Sequence, residues 1–183
     1  MGDDQGRRPI HVGRDLDATL ACMEELTQMN HTPVEISSAG IRETISLLRQ
    51  AGSRECVLLW LGRREAGVQR IVDVYRPQQN SAIDYFEIPR QGMAALMDRL
   101  RTQGLYVVSQ VHTHPAQAFH SPTDDRWAIV RHIGALSIVL PFFAESATPE
   151  NFLQQAAVYE LDPSNAWNEV PSEQFLDRLR ITP

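Results

Sequence analysis

The chain predicts an α+β domain built on a curved mixed β-sheet with helices flanking it. Two observations carry this. Apolar residues at helical spacing alternate with short runs rich in Val, Ile and Leu, and these follow no regular strand–helix–strand rhythm, which argues against a doubly wound sheet. "ECVLLWLG" and "VQRIVDVYRP" also read as two strands joined by the turn "RREAG", an antiparallel hairpin. At 183 residues the chain is most economically one such domain, since domains commonly run to about 100–200 residues. We place it at residues 33–183, preceded at 1–32 by an N-terminal tail and an amphipathic helix.

Residues 1–13 are polar and mixed in charge. In "RDLDATLACMEELTQMN", Leu16, Leu20, Met23 and Leu26 recur at helical spacing, and "HTP" closes that segment. "VEIS" is a brief strand. Ser37 or Ser38 then caps a helix whose apolar stripe is Ile41, Ile45 and Leu48 and whose stop is Gly52. After the hairpin, "QQNSAIDYF" is a loop or short extension. "RQGMAALMDRLRTQG" is a second helix ended by Gly104, and "LYVVSQV" is a strand that runs into "HTHP". "SPTDDRWAIVRHIG" opens like a helix, with Ser121 at the cap, Pro122 at its first position and acids in its first turn. "ALSIVLPFF", "QAAVYELD" and "AWNEV" read as strands, and "SEQFLDRLR" as a last helix.

Composition excludes several function classes. The net charge of −6 disfavours a polyanion-binding surface, so no nucleic-acid partner is expected. No apolar run approaches the about 18 residues of a membrane span, and the N-terminus has no hydrophobic segment of signal-peptide type. We therefore expect no membrane partner and a cytoplasmic location. Cys22 and Cys56 form no CxxC pair and read as reduced, packed thiols.

The chemistry concentrates in "VSQVHTHPAQAFHSPTDDRW". His112 and His114 are two residues apart at a strand end, where such positions project to the same side. Two imidazoles can then converge on one ion, and this pairing suits zinc. A carboxylate arrives on the first turn of the next helix. Two histidines and one carboxylate leave a fourth position open to water, as a catalytic zinc requires, and zinc lowers that water's pKa to about 7.

"HTHP" followed by "SPTD" resembles the JAMM motif of the JAB/MPN metalloproteases: an upstream glutamate, then His-x-His-Pro, then Ser-x-x-Asp. "ECVLLWLG" is similar to the family's glutamate-bearing strand, with Glu55 opening it and Gly62 closing it. The likeness spans residues 33 to about 162 and implies a cytidine-deaminase-like arrangement of the sheet and helices. It further implies that His112, His114 and an aspartate hold Zn²⁺. By the same resemblance, Glu55 takes a proton from the attacking water and returns it to the departing amine. Ser121 caps the helix and stabilises the oxyanion.

The family pattern usually has seven residues between the second histidine and the serine; here only "PAQAFH" intervenes. Counting from His114 reaches Asp125, whereas counting from Ser121 reaches Asp124. We favour Asp124 because helix geometry ties it to Ser121, while a loop can lose a residue. One step along a helix would swing the carboxylate by about 100°. Asp125 is then a solvated acid or one that orients a histidine.

The resemblance implies a zinc-dependent isopeptidase or peptidase, deubiquitinase-like and nearest the prokaryotic-type members. Its partner is a ubiquitin or ubiquitin-like protein, conjugated or as a precursor, whose extended C-terminal tail adds alongside a strand. The alternatives are a hydrolase freeing an amino acid or small peptide from a sulfur-carrier protein's tail, and a non-catalytic MPN scaffold. His120 reads as exposed or substrate-contacting, and His132 as packed or exposed late in the helix after the site. His11 and His31 carry no signal. Trp60, Trp127 and the "PFF" run read as core aromatics.

Overall fold

The computed structural model describes residues 32–183. The predicted tail and helix of residues 1–32, with His11, Cys22 and His31, lie outside the described residues except for Thr32. In chain order the elements are β1 (Val34–Ser37), α1 (Ser38–Arg49), β2 (Val57–Glu65), β3 (Val68–Tyr75), β4 (Asn80–Ser81) and β5 (Phe86–Glu87). Then come α2 (Arg90–Gln103), β6 (Tyr106–Thr113), α3 (Pro122–Trp127), β7 (Leu136–Leu140), α4 (Phe152–Gln155) and β8 (Ala157–Leu161). β9 (Trp167–Glu169), α5 (Phe175–Arg178) and β10 (Leu179–Thr182) complete it.

Eight strands form one mixed sheet in the order β10-β1-β3-β2-β6-β7-β8-β9, while β4 and β5 pair in a separate small hairpin. The β1–β3, β1–β10 and β6–β7 pairs are parallel, the others antiparallel. The first six residues of β2 are all buried because apolar clusters cover both of its faces. Leu58 and Trp60 pack with Ile41, Ile45 and Leu48 of α1, whereas Val57, Leu59 and Leu61 pack with Leu96 of α2. Trp60 is wholly buried, stacks on Phe152 and donates from Nε1 to Thr44 Oγ1 at 3.0 Å.

Local signals account for the element ends. Ser37 Oγ accepts from the Gly40 amide, and Gly104 stops α2 in the left-handed conformation at φ 63°. The hairpin turn is tighter than expected. β2 continues through Arg63–Glu65, and only Ala66 (φ 47°) and Gly67 (φ 79°) turn the chain.

Four other expectations need correction. The helix after the histidine loop stops at Trp127, because Ala128 leaves helical geometry at ψ 123°. His132 is therefore in a turn, its Nε2 3.1 Å from the Val107 carbonyl. Trp127 is 51% exposed rather than core. In "PFF" the strand ends at Leu140, and Phe142, Phe143 and Ala144 form a left-handed turn with φ of 49°, 53° and 58°. Finally, the last helix is a 3₁₀ turn plus one α-turn, and "LRIT" becomes β10 because β1 offers it a parallel edge.

Candidate metal centre

The central strands build the site through register. β2 runs antiparallel to β6 with Val57 opposite His112, so two residues further out Glu55 comes opposite His114. Cys56 and Thr113 lock this extension: the Thr113 amide donates to the Cys56 carbonyl and the Cys56 amide to Thr113 Oγ1. The Glu55 amide donates to the Ala82 carbonyl at 2.7 Å, which ties the β4–β5 hairpin to the same end. Cys56 is free and buried.

His114 lies just past β6, and the turn at 142–144 clamps it. Its amide donates to Leu140 O, its carbonyl accepts from the Phe143 amide at 2.9 Å, and Ala116 O accepts from Phe142. Left-handed geometry costs non-glycine residues about 1–2 kcal/mol each. Arg49 of α1 offsets that strain by donating to the carbonyls of Ala144, Glu145 and Ala147. Nothing in the local sequence pattern announced this support.

Asp124 is delivered by a capping box. Ser121 Oγ accepts from the Asp124 amide at 3.2 Å, and the Asp124 carboxylate accepts from the Ser121 amide at 2.7 Å. This aims Asp124 Oδ1 at His112 Nε2 and Oδ2 at His114 Nε2, each at 3.3 Å. Asp125 points elsewhere: it is half-exposed and contacts His120 Nδ1 at 3.0 Å. Burial pushes the Asp124 carboxyl up, but His112, His114 and the Ser121 amide outweigh it and hold it below the ordinary carboxylate range.

These residues fit a metal ion. The donor atoms of His112, His114 and Asp124 lie within 4.8 Å of one another, and all three residues are buried. Apart from their 3.3 Å approaches to Asp124, neither His112 Nε2 nor His114 Nε2 has a hydrogen-bond partner among the described residues, a costly state unless another group binds those lone pairs. Two imidazoles and one carboxylate, with room for a further ligand, form a donor set that suits zinc.

Glu55 stands beside them with Oε1 4.0 Å from His114 Nε2. Burial raises its carboxyl to about 7; His114 opposes that rise, and Asp124 and Asp84 add to it. Glu55, His114, Ser121 and Asp124 all line one cavity of about 350 Å³, and Asp84, Tyr85, Phe119 and Trp127 form its mouth. The mouth aromatics were not foreseen as site residues. Phe119 packs edge-on against the His114 ring at 4.7 Å. His120, expected to be exposed or to touch substrate, instead has a buried side chain wedged against Tyr159 and Trp167.

The comparisons agree with this geometry. Residues 37–146 match the family model described as prokaryotic homologues of the JAB domain. The probable metalloprotease y4jG of Sinorhizobium fredii is 34% identical over 141 residues, covering 74% of this chain and 85% of that protein. The solution structure of protein DSY2949 from Desulfitobacterium hafniense aligns with a TM-score of 0.60 at 16% identity. That alignment covers 81% of this chain and 92% of the other. A Salinibacter ruber protein aligns at 0.50 with 17% identity, covering 81% and 90%. The two structures share the fold. With the His112–His114–Asp124 cluster at the end of its central strands, the chain belongs to the JAB/MPN family, among the prokaryotic homologues of the JAB domain.

Proposed function

We propose that the chain is a zinc-dependent peptidase or isopeptidase that cleaves after the C-terminal tail of a ubiquitin or ubiquitin-like protein. The observation that carries this reading is the meeting of three buried metal donors with the Glu55 carboxylate beside one cavity. His112, His114 and Asp124 would hold the ion. Zinc, when bound there, supplies a Lewis acid for the scissile carbonyl and lowers the pKa of a water to about 7.

The chain's own groups do the rest. Glu55 takes a proton from the attacking water as its oxygen bonds to the carbonyl carbon, and returns that proton to nitrogen as the C–N bond breaks. Ser121 can cap and catalyse together. Its oxygen accepts the Asp124 amide through a lone pair, which leaves its own hydrogen to donate to the charge developing on the substrate oxygen.

The cavity's charge supports a leaving amine without a free carboxylate. Among the described residues, its lining adds the acid Asp84 to the proposed metal ligands and base and includes no arginine or lysine. Release of a terminal amino acid from a sulfur-carrier tail would leave the α-carboxylate with no such cation there to pair with.

The test is cleavage of a panel of ubiquitin-like C-terminal fusions and lysine isopeptides, with and without chelator, by wild type and Glu55→Gln. Chelator-sensitive cleavage lost in Glu55→Gln is expected. Equal activity of the two proteins refutes the mechanism, and preference for a single carboxy-terminal amino acid as leaving group refutes the substrate class.

A further inference from the structure

The metal-site reading uses one nitrogen of His112 and leaves its other nitrogen without a role. His112 Nε2 faces Asp124, so Nε2 is the atom committed to a metal. The ring must then carry its proton on Nδ1. That atom is buried, and it has no hydrogen-bond partner among the described residues. A metal-binding histidine almost always donates its outer N–H to an acceptor that sets its tautomer and orientation.

An unused acceptor sits beside it. The His120 ring packs edge-to-face on His112, with centroids 6.2 Å apart. Its Nδ1 lies 3.0 Å from Asp125 Oδ1, so the proton of the neutral ring belongs on Nδ1 and Nε2 carries a lone pair. That Nε2 is likewise buried without a partner. Tyr159 and Trp167 pack against the ring at centroid distances of 5.0 and 5.2 Å, and Trp167 Nε1 is a second buried donor with no partner among the described residues. The two nitrogens are not bonded to each other, but an orphan donor and an orphan acceptor occupy neighbouring rings with complementary tautomers, and a shift of one ring by about 1 Å brings them into hydrogen-bond distance.

We propose that His120, oriented by Asp125, is a positioning residue for His112, its Nε2 serving the Nδ1–H that His112 carries when it binds metal. The inference rests on the metal-site reading above. It gives Asp125 a task distinct from that of Asp124. It also explains why a histidine next to the capping serine is buried rather than displayed to substrate.

The experiment measures Zn²⁺ affinity of the whole chain by competition with a chromophoric chelator, and the visible bands of the Co²⁺-loaded protein. His120→Phe refills the ring's place between Tyr159 and Trp167 but has no acceptor. It is expected to lose about 10–100-fold in Zn²⁺ affinity and to shift the Co²⁺ bands. Its metal-stripped form should unfold close to wild type. His120→Gln, which restores an acceptor oxygen, should recover part of the loss. Should His120→Phe fail to fold, Asp125→Ala carries the test with an expected loss of about tenfold.

An unchanged affinity in the folded His120→Phe protein, or in Asp125→Ala if that variant carries the test, overturns the proposal while leaving the metal site intact. Wild type that binds no Zn²⁺ overturns the metal-site reading and this proposal with it.

Discussion

Replacing Asp124 with asparagine separates the metal role proposed for this residue from its structural one. Asparagine matches aspartate in shape, and its side-chain oxygen can still accept the Ser121 amide that Asp124 takes at 2.7 Å. The cap by itself falls from a charge-assisted to a neutral bond, a loss of about 1 kcal/mol or about 2–4 °C in Tm for a chain of this size, and the weakened contacts to His112 and His114 add to it. The loss at the metal is larger. Groups that merely orient a ligand are worth about 10–100-fold in affinity, so removal of an anionic ligand should cost at least about 100-fold, or ~2.7 kcal/mol. Asp125→Asn keeps an acceptor for His120 and should lose tenfold or less. Zinc retained through gel filtration, read by a chromophoric chelator, gives the affinities, and melts of chelator-treated protein give the stabilities. An Asp124→Asn protein that keeps its zinc while Asp125→Asn loses it would refute the assignment.

Three further outcomes follow from the geometry. Glu55 holds its proton more tightly when folded, with a pKa of about 7 against an ordinary 4.5, so its stabilisation is full below pH 4.5 and lost as pH rises through about 7. Metal-stripped Glu55→Gln should lack that decline; denaturant melts at pH 5 and pH 8 that change equally in both proteins would sink this account. Thr44→Val leaves Trp60 Nε1 buried with no acceptor and should cost about 1–3 kcal/mol, measured by urea unfolding. Gly62→Ala would put a methyl 2.2 Å from the Arg70 carbonyl oxygen, at the irregularity where β2 meets β3. That backbone cannot yield without parting the strands, so we expect about 3 kcal/mol or more of destabilisation, and a neutral melt would contradict the packing.

Much of this protein could be read from sequence because its signals are local. The cap at Ser37, the stop at Gly104 and the apolar stripe of α1 depend on spacings of a few residues. So do the capping box at Ser121 and the shared side of His112 and His114. The sheet was recognisable as mixed because its strands lack a regular alternation with helices, although its strand order, β10-β1-β3-β2-β6-β7-β8-β9, was not.

What spacing could not reach were contacts between distant segments. "LRIT" has no strand signature of its own and becomes a strand because β1 lies alongside. Trp127 and Phe142 look like core by composition, yet only the packed structure shows that both stay about half exposed. Asp124 and Asp125 are equivalent as letters. The sequence by itself determined that a carboxylate would stand at the start of α3, because helix caps are local. Only the tertiary structure decided which carboxylate meets the imidazoles and which braces His120, because a helix turns neighbouring side chains about 100° apart and the strands beneath determine what each one faces.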